Sequence, residues 1–130
     1  DTTLNPGGVR LGTSEIYSEV EKFKEIKESI VIGQSWDNDI RIILFIIMNQ
    51  NYKFNDKLVK KIKSQIKINA SPRHVPNKIL NVKDIPRTKN GKIVELAVKN
   101  IIEGNVIKNK EALANPEILN EFKNLKELKY

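Results

Sequence analysis

Two glycine-marked polar loops hold the residues whose types and spacing could do chemistry. The first is Asn5-Pro6-Gly7-Gly8-Val9-Arg10. Adjacent Gly7 and Gly8 permit backbone conformations closed to other residues, or the close approach of a ligand, and Arg10 adds a planar guanidinium fork suited to phosphate. The second is Thr88-Lys89-Asn90-Gly91-Lys92. Here Lys92 follows a turn glycine and precedes a helical apolar stripe, so its ammonium would be presented from a fixed base toward a phosphate or a growing oxyanion. The residues alone leave both loops open: a glycine pair is a common hairpin turn, and a lysine in a polar turn is more often a solvated surface group.

Other conspicuous residues offer less. His74 is the single histidine and there is no cysteine, so no metal cluster or nucleophile–base pair can be assembled around it, and it reads as structural. Trp36 lies in a polar turn and is expected to cover a sheet edge rather than stack on a base. Lys57, Lys60, Lys61 and Lys63 read as the solvated face of a helix.

The elements that must position these loops follow from periodicity. Leu4 and Leu11 flank the first loop and predict a short hairpin, after which Thr13 or Ser14 caps a helix bearing Ile16, Val20 and Phe23. Residues 29–32 and 40–48 are β-branched runs joined by a polar turn, and the second is apolar on successive residues, as a central strand covered on both faces would be. Asn55 and Asp56 open a second helix with Leu58, Ile62 and Ile66 inward, ending before Pro72. A strand over 75–82 leads to the second loop. Val94, Ala97, Val98, Ile101 and Ile102 then form the stripe of a third helix stopped at Gly104, and Asn115-Pro116 starts a last one. The fold class expected is α+β: a small, largely antiparallel sheet with flanking helices, preceded by a short hairpin and followed by a C-terminal helical extension over 105–130.

Composition sets the outer bounds. A chain of 130 residues, 39% hydrophobic, can bury one modest core without disulfides, so a single domain is expected. The most apolar stretch, residues 42–48, falls far short of the roughly 20 residues that span a bilayer, so no membrane partner is expected. The net charge of +7 favours polyanions, which brings nucleic acid into consideration, but Glu15, Glu19, Glu21, Glu25 and Glu28 interrupt the basic residues and leave no purely cationic block. The absence of cysteine fits a reducing compartment, and the start at Asp1 with an early Pro-Gly-Gly reads as a fragment opening on a linker.

Taken together, the two loops resemble a known family. Leu4-Asn5-x-x-Gly8-x-Arg10-Leu11-Gly12-Thr13-x-Glu15-Ile16, followed by Ile85-Pro86-Arg87-Thr88-x-x-Gly91-Lys92, is similar to the C-terminal domain of the AMP-forming acyl-CoA synthetases of the adenylate-forming superfamily. Ser71-x-Arg73-His74-Val75-Pro76, Asn90-Gly91-Lys92 with Val94-Glu95, Ala97-Val98-Lys99 and Asn115-Pro116-Glu117-x-Leu119 resemble the branch that activates acetoacetate. The resemblance covers the whole chain and rests on the order and spacing of the motifs.

It implies that the chain is the mobile small domain of a ligase that joins acetoacetate to coenzyme A through an acyl-adenylate, releasing AMP and pyrophosphate. A related acyl-CoA synthetase with another acid is the alternative. Lys92 matches the lysine that contacts the acyl carboxylate and α-phosphate, and Asp1 aligns with the hinge about which the domain swings. Gly7 and Gly8 match the loop lining the pantetheine tunnel, Arg10 an arginine associated with nucleotide phosphate, and Lys67 a position directed toward CoA phosphate, which the other helix lysines could also serve. The implied small molecules are ATP with magnesium, CoA and acetoacetate. The implied partner is a large N-terminal domain of the same polypeptide, in the cytoplasm, with no nucleic acid, no resident metal and no ligand bound to this fragment, which alone should not turn over.

Overall fold

The computed structural model describes residues 3–91, 93–107 and 110–130, which form two compact units, Asp1–Asn81 and Val82–Tyr130. In the first unit, β1 (Thr3–Leu4) and β2 (Leu11–Gly12) pair antiparallel with Leu4 opposite Leu11, closing the first loop into the expected hairpin. A helix, α1 (Ser14–Val20), follows directly from Thr13. The main sheet has the order β3 (Ile26–Trp36), β4 (Asp39–Met48), β5 (Lys78–Asn81), and α2 (Asp56–Asn69) connects its last two strands.

Local chemistry explains these boundaries. Strands β3 and β4 are joined through Asp37 and Asn38 at φ 52° and 60°, the left-handed pair that a two-residue hairpin needs and that Asp and Asn tolerate best among side-chain-bearing residues. At the start of α2 the Asn55 side chain accepts the Leu58 N–H at 2.8 Å, satisfying one of the helix's orphan donors. Leu58, Ile62 and Ile66 then lie on one buried stripe. Pro76 has no N–H to give a ladder, and a tight 3₁₀ turn occupies Pro72–His74, so β5 is shorter than the strand predicted over 75–82. Asn77 sets its entry: the backbone N–H donates to the Ile42 carbonyl at 2.8 Å, and the side-chain oxygen accepts the Ile42 N–H at 2.9 Å. β5 pairs parallel to β4, so the sheet is mixed, its long β3–β4 pair antiparallel as expected and its short edge parallel.

The core of this unit gathers Ile16, Val20 and Phe23 with Leu58, Ile62 and Ile66 against Val31, Ile42, Leu44 and Ile46 of the sheet. Residues 41–47 of β4 are all buried, as the unbroken apolar run predicts for a central strand. Gly33, facing Ile42 in the ladder, has no room for a side chain: a Cβ there would sit 2.9 Å from the Ile40 Cγ2 and 3.0 Å from a Leu4 methyl. The hairpin that carries the first loop therefore rests against a glycine in β3.

The second unit holds α3 (Glu95–Ile102) and three 3₁₀ turns, Lys110–Ala112, Pro116–Phe122 and Lys126–Leu128. Ala97, Ile107, Leu113 and Leu119 make up one buried cluster. Gly104, at φ 77°, ends α3 as expected, its neighbour Asn105 donating to the Asn100 carbonyl at 2.8 Å. The last helix predicted from Asn115-Pro116 is a 3₁₀ segment instead, and Asn124 at φ 54° separates it from the turn that follows.

Candidate functional site

In the first unit, the loop after β1 makes one 3₁₀ turn, Pro6–Gly8, with Gly7 and Gly8 both left-handed at φ 62° and 77°. These angles account for two successive glycines, since any other residue would be strained there. The turn is anchored from outside itself: the Gly7 N–H points between the two Asp39 carboxylate oxygens, at 2.9 and 3.1 Å. Gly8 is exposed, and a Cβ built on it would meet nothing within 4 Å. A Cβ on Gly7 would lie 3.8 Å from the Arg73 guanidinium, so a second cation stands beside this loop. Arg10 and Lys67 are exposed; Lys67 occupies the last turn of α2, where the helix dipole favours a cation.

Asp39 is held below the usual aspartate range, first by the Ile40 N–H at 2.7 Å and then by the Gly7 N–H, against an opposing effect of burial. A carboxyl depressed in the folded state contributes fully above its ordinary pKa, and the contribution disappears as pH falls through the depressed value. The Gly7 anchor is therefore intact at neutral pH and is released only in acid, below about pH 4. The protection of the Gly7 amide, its exchange measured against an unstructured amide at the same pH, should hold to that point and then fall, and Asp39→Ala should remove the transition.

Two neighbouring residues that the sequence marks as structural acquire definite partners. Trp36, the last residue of β3, lies beneath a cation: the Arg41 guanidinium carbon stands 3.8 Å from the ring centroid, with Nε donating to Gln34 at 2.8 Å. His74 shares a 2.6 Å hydrogen bond between Nδ1 and the Ser71 hydroxyl, and its Nε2 lies 3.8 Å from Glu15, which ties the 3₁₀ turn to α1. Both agree with structural roles.

In the second unit, Gly91 at φ 86° closes a turn with its N–H on the Thr88 carbonyl at 2.9 Å. Lys92 and Asp1 lie outside the described residues. The neighbours of Lys92 are well tethered. Arg87 bridges Ile93 antiparallel, the Val94 N–H reaches the Pro86 carbonyl at 3.0 Å, and on the other side Thr88 bridges Leu113 while Ala114 donates to the Arg87 carbonyl at 2.8 Å. An open cleft of about 510 Å³ flanks the turn, lined by Thr88, Val94 and Ala97 together with the exposed Leu96 and Val106.

The base of the turn holds a polar cluster that sequence reading missed. Asp84 accepts the Ile85 N–H at 2.8 Å and the Arg87 Nη2 at 3.2 Å through one oxygen, and the Asn115 amide at 3.2 Å through the other. Burial works to raise the Asp84 carboxyl, but these bonds and the guanidinium together hold it below its usual range. Asn115, predicted to cap a helix, makes no side-chain cap and accepts the Arg87 N–H instead, at 2.9 Å. The spacing of Asp84 and Arg87 could have suggested their pairing, whereas nothing local points Asn115 across 28 residues. Among the described residues no group of three His, Asp or Glu side chains could share a metal ion, and no helix is long and apolar enough to cross a membrane.

This architecture recurs in solved structures. No family model matches the chain. An acyl-CoA synthetase from Brucella canis has the same fold over 77% of this chain and 19% of its own, with a TM-score of 0.71 at 22% identity. Acetoacetyl-CoA synthetase from Streptomyces lividans superposes over 95% of this chain and 19% of its own, with a TM-score of 0.83 at 36% identity. Sequence and fold together place the chain in the acyl-CoA synthetase family, as a segment of its members. Within that family the similarity runs to acetoacetyl-CoA synthetases: the Rhizobium meliloti enzyme is 55% identical over 129 residues, 99% of this chain and 20% of the relative. The chain thus spans about one fifth of the length of the relatives it matches.

Proposed function

We propose that the chain is the C-terminal mobile domain of an acetoacetate–CoA ligase, a cytoplasmic enzyme whose large N-terminal domain lies in the same polypeptide. An acetoacetate carboxylate oxygen attacks the α-phosphorus of ATP, the bond to pyrophosphate breaks, and the CoA sulfur then attacks the adenylate carbonyl and expels AMP. The single observation that carries this reading is the 55% identity with an acetoacetyl-CoA synthetase over 99% of the chain. ATP with magnesium, CoA and acetoacetate are substrates of the whole enzyme.

The two half-reactions need different walls. Negative charge grows at phosphorus in the first, where a pre-placed ammonium lowers the barrier, and a narrow path for the thiol arm is required in the second. Lys92, carried beyond a turn tethered on two sides, serves the first. Gly8, exposed and with nothing among the described residues within 4 Å of where a Cβ would stand, serves the second with Gly7 beside it, and rotation about Asp1 exchanges them. Arg10 is assigned to nucleotide phosphate and Lys67 to CoA phosphate.

The test is a substrate panel on the full-length polypeptide. With ATP, magnesium and CoA, acetoacetate should release AMP and form acetoacetyl-CoA faster than acetate or longer acids do, and the isolated 130-residue chain should show no turnover. Preference for another acid would overturn the substrate assignment, and absence of adenylate formation with any acid would overturn the class of reaction.

A further inference from the structure

We propose that Asn115 is a positioning residue for the Lys92 turn: its side chain, spanning Asp84, Ile85 and Arg87, sets the geometry from which position 92 is presented. The inference rests on the role proposed above for Lys92 and extends it to a segment far along the chain.

The Asn115 amide is used at both ends. Its oxygen accepts the Arg87 N–H at 2.9 Å, while its nitrogen donates to the Ile85 carbonyl at 2.9 Å and to an Asp84 oxygen at 3.2 Å. The partners fix which end is which, because only a donor can face a carbonyl and a carboxylate, and only an acceptor can face an N–H. Neither Asp nor Leu alone could replace it. Aspartate would set a carboxylate against Asp84 and the Ile85 carbonyl, and leucine would leave all three groups without this partner.

The three groups share one strand of backbone, the leg that leads into the turn. That leg is paired on one face with Ile93 and Val94 and on the other with residues 113–114. Both pairings rest on isolated bridges rather than ladders, so the tilt of the leg depends further on the side-chain contacts at its base. Asn115 supplies them, and the Arg87–Asp84 ion pair at 3.2 Å is locked into the same network. A change of tilt at Arg87 is passed across the bridge to Ile93, the residue that follows position 92 in the chain. Catalysis by a pre-placed charge is sensitive to displacements of about 1 Å, so such a change should appear as rate.

The experiment compares Asn115→Ala, the double exchange of Asp84→Asn with Asn115→Asp, and Lys92→Ala in the full-length enzyme. Two rates are read: acetoacetate-dependent pyrophosphate release, and thioester formation from supplied acetoacetyl-adenylate. Asn115→Ala should slow the first about tenfold at unchanged KM and leave the second alone. The double exchange should recover part of that loss. The amide introduced at position 84 then donates to the carboxylate introduced at position 115, which still accepts the Arg87 N–H, and one negative charge remains in the cluster with the guanidinium; the recovery is partial because the Ile85 carbonyl loses its donor and faces a carboxylate oxygen instead. If Lys92→Ala separates the half-reactions but Asn115→Ala slows neither, or slows both alongside a fall in thermal stability, the positioning role is overturned alone. If Lys92→Ala does not separate them, the reading of Lys92 falls and this inference with it.

Discussion

Replacing Lys92 with alanine in the full-length synthetase is expected to slow acetoacetyl-adenylate formation by about 100- to 1,000-fold, the loss typical when one pre-placed donor to a developing oxyanion is removed. Thioester formation from supplied acetoacetyl-adenylate should change less than about threefold, because in the proposed cycle the glycine loop, not this turn, faces the second half-reaction. The contrast between the two rates is the diagnostic quantity. A lysine that merely steadied the fold would depress both steps together. Pyrophosphate release and single-turnover thioester formation, followed on the same preparation, distinguish the cases, and equal losses would contradict the assignment. The local fold should survive the change, since the backbone bonds that close the turn run through Thr88, Gly91 and Val94.

The reciprocal substitution, Gly8→Leu, should slow the thiol step by about 100-fold and spare adenylation, on the scale that a small misplacement of reacting groups produces. The structure makes this variant clean. A Cβ at position 8 meets nothing within 4 Å in the described residues, so the folding cost expected at that atom is that of the left-handed backbone at φ 77°, about 1–2 kcal/mol. Gly8→Ala separates the two contributions: it carries most of the backbone strain but little of the bulk, and should retain most of the thiol-transfer rate. Loss of adenylation in Gly8→Leu would show that the loop serves the wrong half-reaction.

Much of the scaffold around these positions was legible because its signals are local. The apolar run of β4, the Asp37-Asn38 turn, the Asn55 cap and the Gly104 stop each depend on residues within a few positions of one another, and each appears where patterning places it. What was not legible depends on distant partners. β5 is parallel to β4 because α2 returns the chain to the same end of the sheet, a fact of tertiary path that an alternating pattern does not encode. Asn115 illustrates the same limit: Asn before Pro is a strong helix-start signal, yet its amide is claimed by Asp84, Ile85 and Arg87, and the chain beyond continues as 3₁₀ turns. The glycines of the first loop were readable as backbone necessity, but the Asp39 carboxylate that anchors Gly7 comes from 32 residues away.

The stacked pair at the end of the β3–β4 hairpin has a practical consequence. Trp36 is the chain's single tryptophan, and the guanidinium above it belongs to Arg41, two positions beyond the aspartate that grips the first loop. Its intrinsic fluorescence is therefore a native optical label for that corner of the fold, and emission recorded during an acid titration reports disturbance of the hairpin tip without any attached dye.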